Sequence, residues 1–455
     1  MATRMHPVQR TVFSCLSWLT LATSAIAADR YATPSGAGAQ DGSSWANAYP
    51  QAQIQAAVDH LAAGDTLYLG SGTYSLPALA ISGSGAAGNL KQLVGVETKN
   101  GGGLPLFQGT HVAASDRGGA LVTFSSSGAN YWAIKNIQIK NFRFGVDMLP
   151  SGTTYAAYQN ILLDNISMDT VQDGFRLCNC SHITVKHCSV IRHTKKGFRY
   201  GEYSADVSFV DCKTDCNGGD DSFPAQRIPN GFYGADTKGA AIIHDITFTD
   251  CLSRNNRFES TSSYWNGDAF STEKGTYNVT YTRCAGFDNH DAAFDNKANN
   301  VTFVDCVASG NKRGFRIWGS GCTMRNCLAV NSHSWGDKMD ALGIWISKEG
   351  ASADVYHCTF HNNQTYQLYT EGGKLAVHDS ILSTTDSTGK LTGGSPITLT
   401  RVASYAPGGS DADPKFVAPS KSWTGSPANA FDSKTYGAEK GYSSTGVQHA
   451  AASSR

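Results

Sequence analysis

Short β-rich runs recur along this chain at a nearly constant interval, and each ends in Asn, Cys or Asp. They are IQIKN (ending at Asn141), ILLDN (Asn165), ITVKHC (Cys188), VSFVDC (Cys212), ITFTDC (Cys251), VTYTRC (Cys284), VTFVDC (Cys306), CTMRNC (Cys327), DVYHC (Cys358) and LAVHDS (Asp379). The basic interval is 21–24 residues, as from 188 to 212 or from 306 to 327. Apolar and polar residues alternate within each run, which is the period of a half-buried strand. One strand per 21–24 residues describes a coil that stacks on its neighbour about 4.8 Å away. The chain is therefore predicted to be all-β, a single-stranded parallel β-helix with regular coils over 135–384.

A second column follows each strand end. It reads DGFR (173–176), KGFR (196–199), NGFY (230–233), GDAFS (267–271), DAAFD (291–295), RGFR (313–316) and GIW (343–345). Its aromatic or aliphatic member is a core position, and the residues beside it alternate outward. Three coils are longer, between 212 and 231, 251 and 269, and 327 and 343. Their extra residues leave between the same two strands as loops on one face, where they wall a groove. These loops carry Arg254, Arg257, Tyr264, Trp265, His333, Trp335 and Lys338.

At the start, residues 53–70 read as an amphipathic capping helix followed by a strand, so that 28–134 hold the N-terminal cap and first coils. A helix over the first coil shields an open sheet edge. Beyond 384 the chain is Gly- and Ser-rich, which suits a terminal cover or tail over 385–455 rather than a second domain.

Arg4 and Arg10 precede an apolar stretch from Val12 to Ala27 that ends in Ala25-Ile26-Ala27. That is the pattern of a cleaved export signal over 1–27, and it predicts a secreted or periplasmic protein. No other run is long enough to span a bilayer. The net formal charge is zero, so no global field draws in nucleic acid or a membrane surface. Eleven cysteines remain after export. Seven of them, Cys188, Cys212, Cys251, Cys284, Cys306, Cys327 and Cys358, recur at strand ends, which predicts a ladder of buried, reduced thiols, against the alternative of bridges such as Cys178–Cys180 or Cys212–Cys216.

The register also collects charge. Asp268 lies on one coil, and Asp291 and Asp295 follow 23 and 27 residues later. All three are expected on one outward face, where mutual repulsion calls for a cation. Calcium takes several hard oxygen ligands, which clustered carboxylates supply. Arg316 falls 21 residues after Asp295 in the same column, with Lys312 and Arg313 just before it and Arg176 and Arg199 lower down. Carboxylates beside a basic stripe suit β-elimination of a uronate polymer. The positive groups neutralise the substrate carboxylate, a base removes the acidified C5 hydrogen, and the developing enolate is held by the same charges. Substrate contacts are expected from Arg176, Arg199, Tyr233, Trp265, His290, Lys312 and Arg313.

With these residues the chain resembles the family 9 polysaccharide lyases, pectate-lyase-like enzymes built on a right-handed parallel β-helix. The resemblance rests on NGDAFSTEKG, DNHDAAFDNK and NKRGFRIWG within 266–319, and more weakly on the N-terminal stretch from Arg30 to Tyr74. It implies a calcium site at Asp268, Asp291 and Asp295, with the family's second adjacent Asp replaced by Ala292. It places the family's basic catalytic Lys at Arg316, with Lys338 and Lys297 in reserve. The expectation is a calcium-assisted, monomeric lyase of an acidic polysaccharide. The alternatives are a β-helix hydrolase or C5-epimerase using the carboxylates as acid and base, and a non-catalytic glycan-binding protein.

Overall fold

The computed structural model describes residues 27–97, 102–124, 128–148, 157–218, 228–235, 242–259, 264–409 and 413–415. Nearly all of the proposed export signal therefore lies outside the described residues, as does most of the C-terminal segment.

Every strand pairing is parallel, and the chain winds as a right-handed β-helix. Strands form one sheet of 25 and one of 12. In the larger sheet most coils contribute two short strands separated by a bend, as in Ile243–Thr249 and Leu252–Arg254. The smaller sheet takes one strand per coil, among them Lys196–Tyr200, Asn230–Gly234, Asp268–Thr272, Ala292–Asn296, Arg313–Ile317 and Leu342–Ile346.

The bend explains the ladder and corrects part of it. Asp211, Asp250, Arg283, Asp305, Asn326 and His357 adopt left-handed backbone (φ 48–57°) immediately before Cys212, Cys251, Cys284, Cys306, Cys327 and Cys358. Short polar side chains tolerate that conformation best, which accounts for the Asp and Asn at this point. Asn165 and Asp379 occupy the left-handed position themselves (φ 53° and 47°), and the cysteine column continues through Ile166 and Ser380. Asn141 is left-handed as well (φ 56°) but lies at the next bend of its coil, level with Thr170, because Lys140 pairs with Asp169 and that coil is 29 residues long (169 − 140). All eleven cysteines among the described residues are free and buried.

Parallel stacking in register brings like side chains face to face. Phe175, Phe198, Phe232, Phe270, Phe294 and Phe315 stack at centroid separations of 4.7–5.0 Å with planes within 8°. Phe209, Phe248, Tyr281 and Phe303 form a second stack that meets the first edge to face. Such pairs add about 0.5–1.5 kcal/mol each beyond the burial of their area.

The coils run from the first described strand into the Gly- and Ser-rich C-terminal segment. Asp29–Ala32 already pairs with Thr66–Gly70, and Ala403–Tyr405 still pairs with Ile381–Ser383. The capping helix is the single turn and a half Ile54–Asp59, and its chemistry is specific. Gln55 donates to the carbonyl of Ala80 (3.0 Å) and accepts from its N–H (2.8 Å), closing both backbone groups on the terminal strand of the smaller sheet. No helix among the described residues is long and apolar enough to cross a membrane.

The ladder reading is checked by thiol titration. Unfolded without reductant, the protein should expose eleven reactive thiols, Cys15 aside, and finding most of them oxidised would refute the free-thiol column.

Candidate active site on the smaller sheet

A second ladder sets the site's turns. Asn256 donates to Asn289 (2.8 Å), Asn289 to Asn311 (2.7 Å), and Asn311 to the carbonyl of Gly286 (2.8 Å), all buried. A buried amide costs stability unless its hydrogen bonds are met, so this chain locks the three turns to one geometry. Each turn delivers the next residues to the same place. Asn289-His290-Asp291 leads into one strand, and Asn311-Lys312-Arg313 leads into the strand above it.

The outward column runs as the spacing requires. Arg176, Arg199, Tyr233, Ser271, Asp295, Arg316 and Trp345 are successive register partners. Asp268 belongs to a neighbouring column, beside Asn230 on one coil, with Ala292 and then Arg313 following. The three carboxylates do converge, but none is exposed: Asp268, Asp291 and Asp295 are 5%, 1% and 4% accessible. Two of the long loops account for this. Trp265 N–H donates to Asp337 (3.0 Å), Lys312 Nζ bonds both Asp337 and the Trp265 carbonyl (each 2.6 Å), and His290 packs between Trp265 and Trp335. The loops thus form a wall that leans over the acidic cluster.

All six carboxylate oxygens are engaged by protein donors. On Asp268, Oδ1 accepts from the Ala292 N–H (2.9 Å), and Oδ2 accepts from Asn230 (2.9 Å) and Ser271 (2.8 Å). On Asp291, Oδ1 accepts from Arg313 Nη1 and Oδ2 from the Tyr264 hydroxyl. On Asp295, Oδ1 accepts from Trp318 Nε1 (3.1 Å) and Oδ2 from Lys297 (2.9 Å). Arg316 lies within ion-pair reach of both Asp291 (3.7 Å) and Asp295 (3.9 Å) and bonds the Tyr264 oxygen (3.3 Å). Its guanidinium stacks over Trp318 and Trp345, and that of Arg313 also lies over Trp345. Arg313 Nε, Arg316 Nε and Trp345 Nε1 are buried without a hydrogen-bond acceptor.

These contacts drive the carboxylates apart. Burial raises the Asp268 pKa to about 7, and the charges of Asp291 and Asp295 push the same way. Burial would raise Asp291 too, but Arg313, Lys312, Arg316 and the Tyr264 hydroxyl overcome it and hold that group below the usual carboxylate range. Desolvation disfavours the charged guanidinium of Arg316, yet Asp295 and Asp291 outweigh it and raise its pKa. Lys297 is likewise raised against burial, by Asp295 and Glu273. Arg316 and Lys297 are therefore held protonated, the opposite of what a proton-abstracting base needs. Lys338 is exposed, and its neighbour Asp337 is the loop residue that enters the cluster.

The expected calcium would have to compete with these donors, because each carboxylate oxygen already accepts at least one hydrogen bond from the protein. No group of three or more His, Cys, Asp or Glu among the described residues is arranged to hold a metal ion.

Several contributors escaped the spacing argument. Asn230 and Ser271 hold Asp268, Asp337 anchors Lys312, and Trp318 and Trp345 flank Arg316. Lys196, whose pKa burial lowers to about 8, bonds Asn230 one coil further down and lies over the Tyr233 ring. Asn230 was discoverable, because NGFY repeats the motif of the Asp268 coil.

Residues 230–382, which enclose most of the cluster, match a family model described as right handed beta helix region. No curated protein matches the sequence. Among solved structures, a mannuronic acid specific polysaccharide family 6 lyase from human gut microbiota aligns at TM-score 0.55 with 10% identity, covering 82% of this chain and 83% of that one. The catalytic domain of an alpha-1,3-glucanase in complex with tetrasaccharides aligns at 0.51 with 11% identity, over 74% and 63%. A pectate lyase aligns at 0.49 with 16% identity, over 69% and 79%. At these identities the likeness to the first two shows a shared fold alone.

Proposed function

We propose that this protein cleaves an acidic, uronate-containing polysaccharide by β-elimination, after export through its N-terminal signal. The observation that carries the reading is the pair Arg313 and Arg316, buried against Trp345 with three donors lacking an acceptor. Arg316 retains 13% side-chain exposure, so a substrate carboxylate can reach it. Neutralising that carboxylate acidifies the C5 hydrogen and stabilises the enolate that forms. Tyr264, hydrogen-bonded to Asp291 and next to Arg316, is placed to carry the proton. Its oxygen takes the C5 hydrogen as its own proton passes to the departing oxygen, and the C4–O bond breaks to leave a C4–C5 double bond.

A second reading has its own support. Asp268 held protonated beside ionised Asp291 is the division of labour that acid–base hydrolysis uses. Incubation with a panel of acidic polysaccharides separates the two. Ultraviolet absorbance from an unsaturated uronate supports elimination, new reducing ends without absorbance support hydrolysis, and C5 inversion with neither supports epimerisation. Binding without any conversion would leave a glycan-binding protein.

On the lyase reading, Arg316→Ala should lower turnover by about 10²–10³-fold, the usual loss for one preorganised donor at a developing anion, and Arg316→Lys should retain more. Equal activity in a stably folded Arg316→Ala protein would remove the residue from the mechanism.

Asp268 makes a prediction about pH. Its folded pKa lies above its unfolded value of 3.8, so between 3.8 and about 7 the native state holds a proton that the unfolded chain has lost. This stabilising contribution is complete below 3.8 and is lost as pH rises through that window. The melting temperature of Asp268→Asn minus that of the wild type should therefore increase from pH 4 to about 7 and then level off. A difference independent of pH would show that Asp268 is ionised throughout.

A further inference from the structure

We infer that Arg313 is a built-in cation that replaces a metal in the acidic cluster, so that the site assembles and operates without a divalent ion. The inference uses the same site as the proposed lyase reading, but it does not depend on the reaction.

Three aspartates this deeply buried repel one another, and a cluster of that kind persists only if the charge is relieved, by protonation as at Asp268 or by positive charge buried with it. Arg313 supplies that charge from inside. Its side chain is 2% exposed, its Nη1 holds Asp291 Oδ1, and its guanidinium is braced against Trp345 at 4.7 Å. The residue directly below it in register is Ala292, 0% exposed, which offers a methyl group and no ligand oxygen. The Ala292 backbone N–H is used on Asp268 instead. Of the other cations at Asp291, Lys312 is already committed to Asp337 and the Trp265 carbonyl, and Arg316 stands 3.7 Å away. At this register level the coil below contributes no carboxylate and Arg313 contributes a cation. A guanidinium also stays charged throughout the range in which carboxylates titrate, so this cation is lost neither to chelators nor to mild acid.

The test needs no substrate, so its failure is distinguishable from failure of the lyase reading. Wild-type protein stripped with chelator is melted with and without added calcium, beside a double variant carrying Ala292→Asp and Arg313→Ala. The wild-type midpoint should not move, and calcium should raise that of the double variant, whose cation is gone and whose carboxylate count is higher. Arg313→Met, which keeps the bulk and loses the charge, should melt lower than the wild type, and Arg313→Lys should recover part of the loss. If the double variant does not fold, the wild-type titration and the Met and Lys variants decide the matter. The inference is overturned by a calcium-induced rise in the wild type that Asp291→Asn abolishes, by an Arg313→Met protein as stable as the wild type, or by a folded double variant that does not respond to calcium.

Discussion

Everything in this molecule depends on the parallel register between successive coils. A strand that pairs in parallel with the strand below must present the same face at the same height, so chemistry repeated in sequence becomes a column in space. Phenylalanines become a stack with ring planes nearly parallel, cysteines a line of buried thiols, and asparagines a chain of amides. A one-residue slip would turn the core column outward, and the stacks resist it collectively.

The same rule creates the site's difficulty and its solution. Columns gather like charges as readily as they gather like rings, and Asp268, Asp291 and Asp295 are drawn together under loops that exclude water. Burial makes each of them costly unless donors are supplied, and every oxygen has one. The result is a split rather than an average. Asp291, surrounded by Arg313, Lys312 and Arg316, is kept ionised, whereas Asp268, held mainly by neutral donors, is pushed toward the protonated form. Two chemically identical side chains thereby acquire different capacities, and the difference comes from which coil each one faces.

The loops complete the arrangement from outside the repeat. Asp337 and Trp265 come from different long coils, yet both meet Lys312. Their contacts cover this part of the sheet face and leave the Arg316 side chain 13% exposed. The long coils therefore shape the site without disturbing the register that positions it.

The sequence by itself determined the coil, the inward phenylalanines and the outward column from Arg176 to Arg316, because a period in sequence is a distance in a solenoid. It also assigned the recurring cysteines as the structure has them, free and buried. It misplaced Asn141, Asn165 and Asp379, because a left-handed asparagine or aspartate and the ladder residue beside it both mark a strand end, and spacing alone does not separate them. Only the tertiary structure shows what surrounds the acidic cluster. Spacing brought the three aspartates together and suggested calcium between them. Whether an ion or a side chain neutralises them depends on Asn230, Tyr264, Arg313 and Lys297 reaching in from other coils and from a loop, and on which of their donors arrive first at each oxygen. Those distances are set by packing across coils, and no periodicity records them.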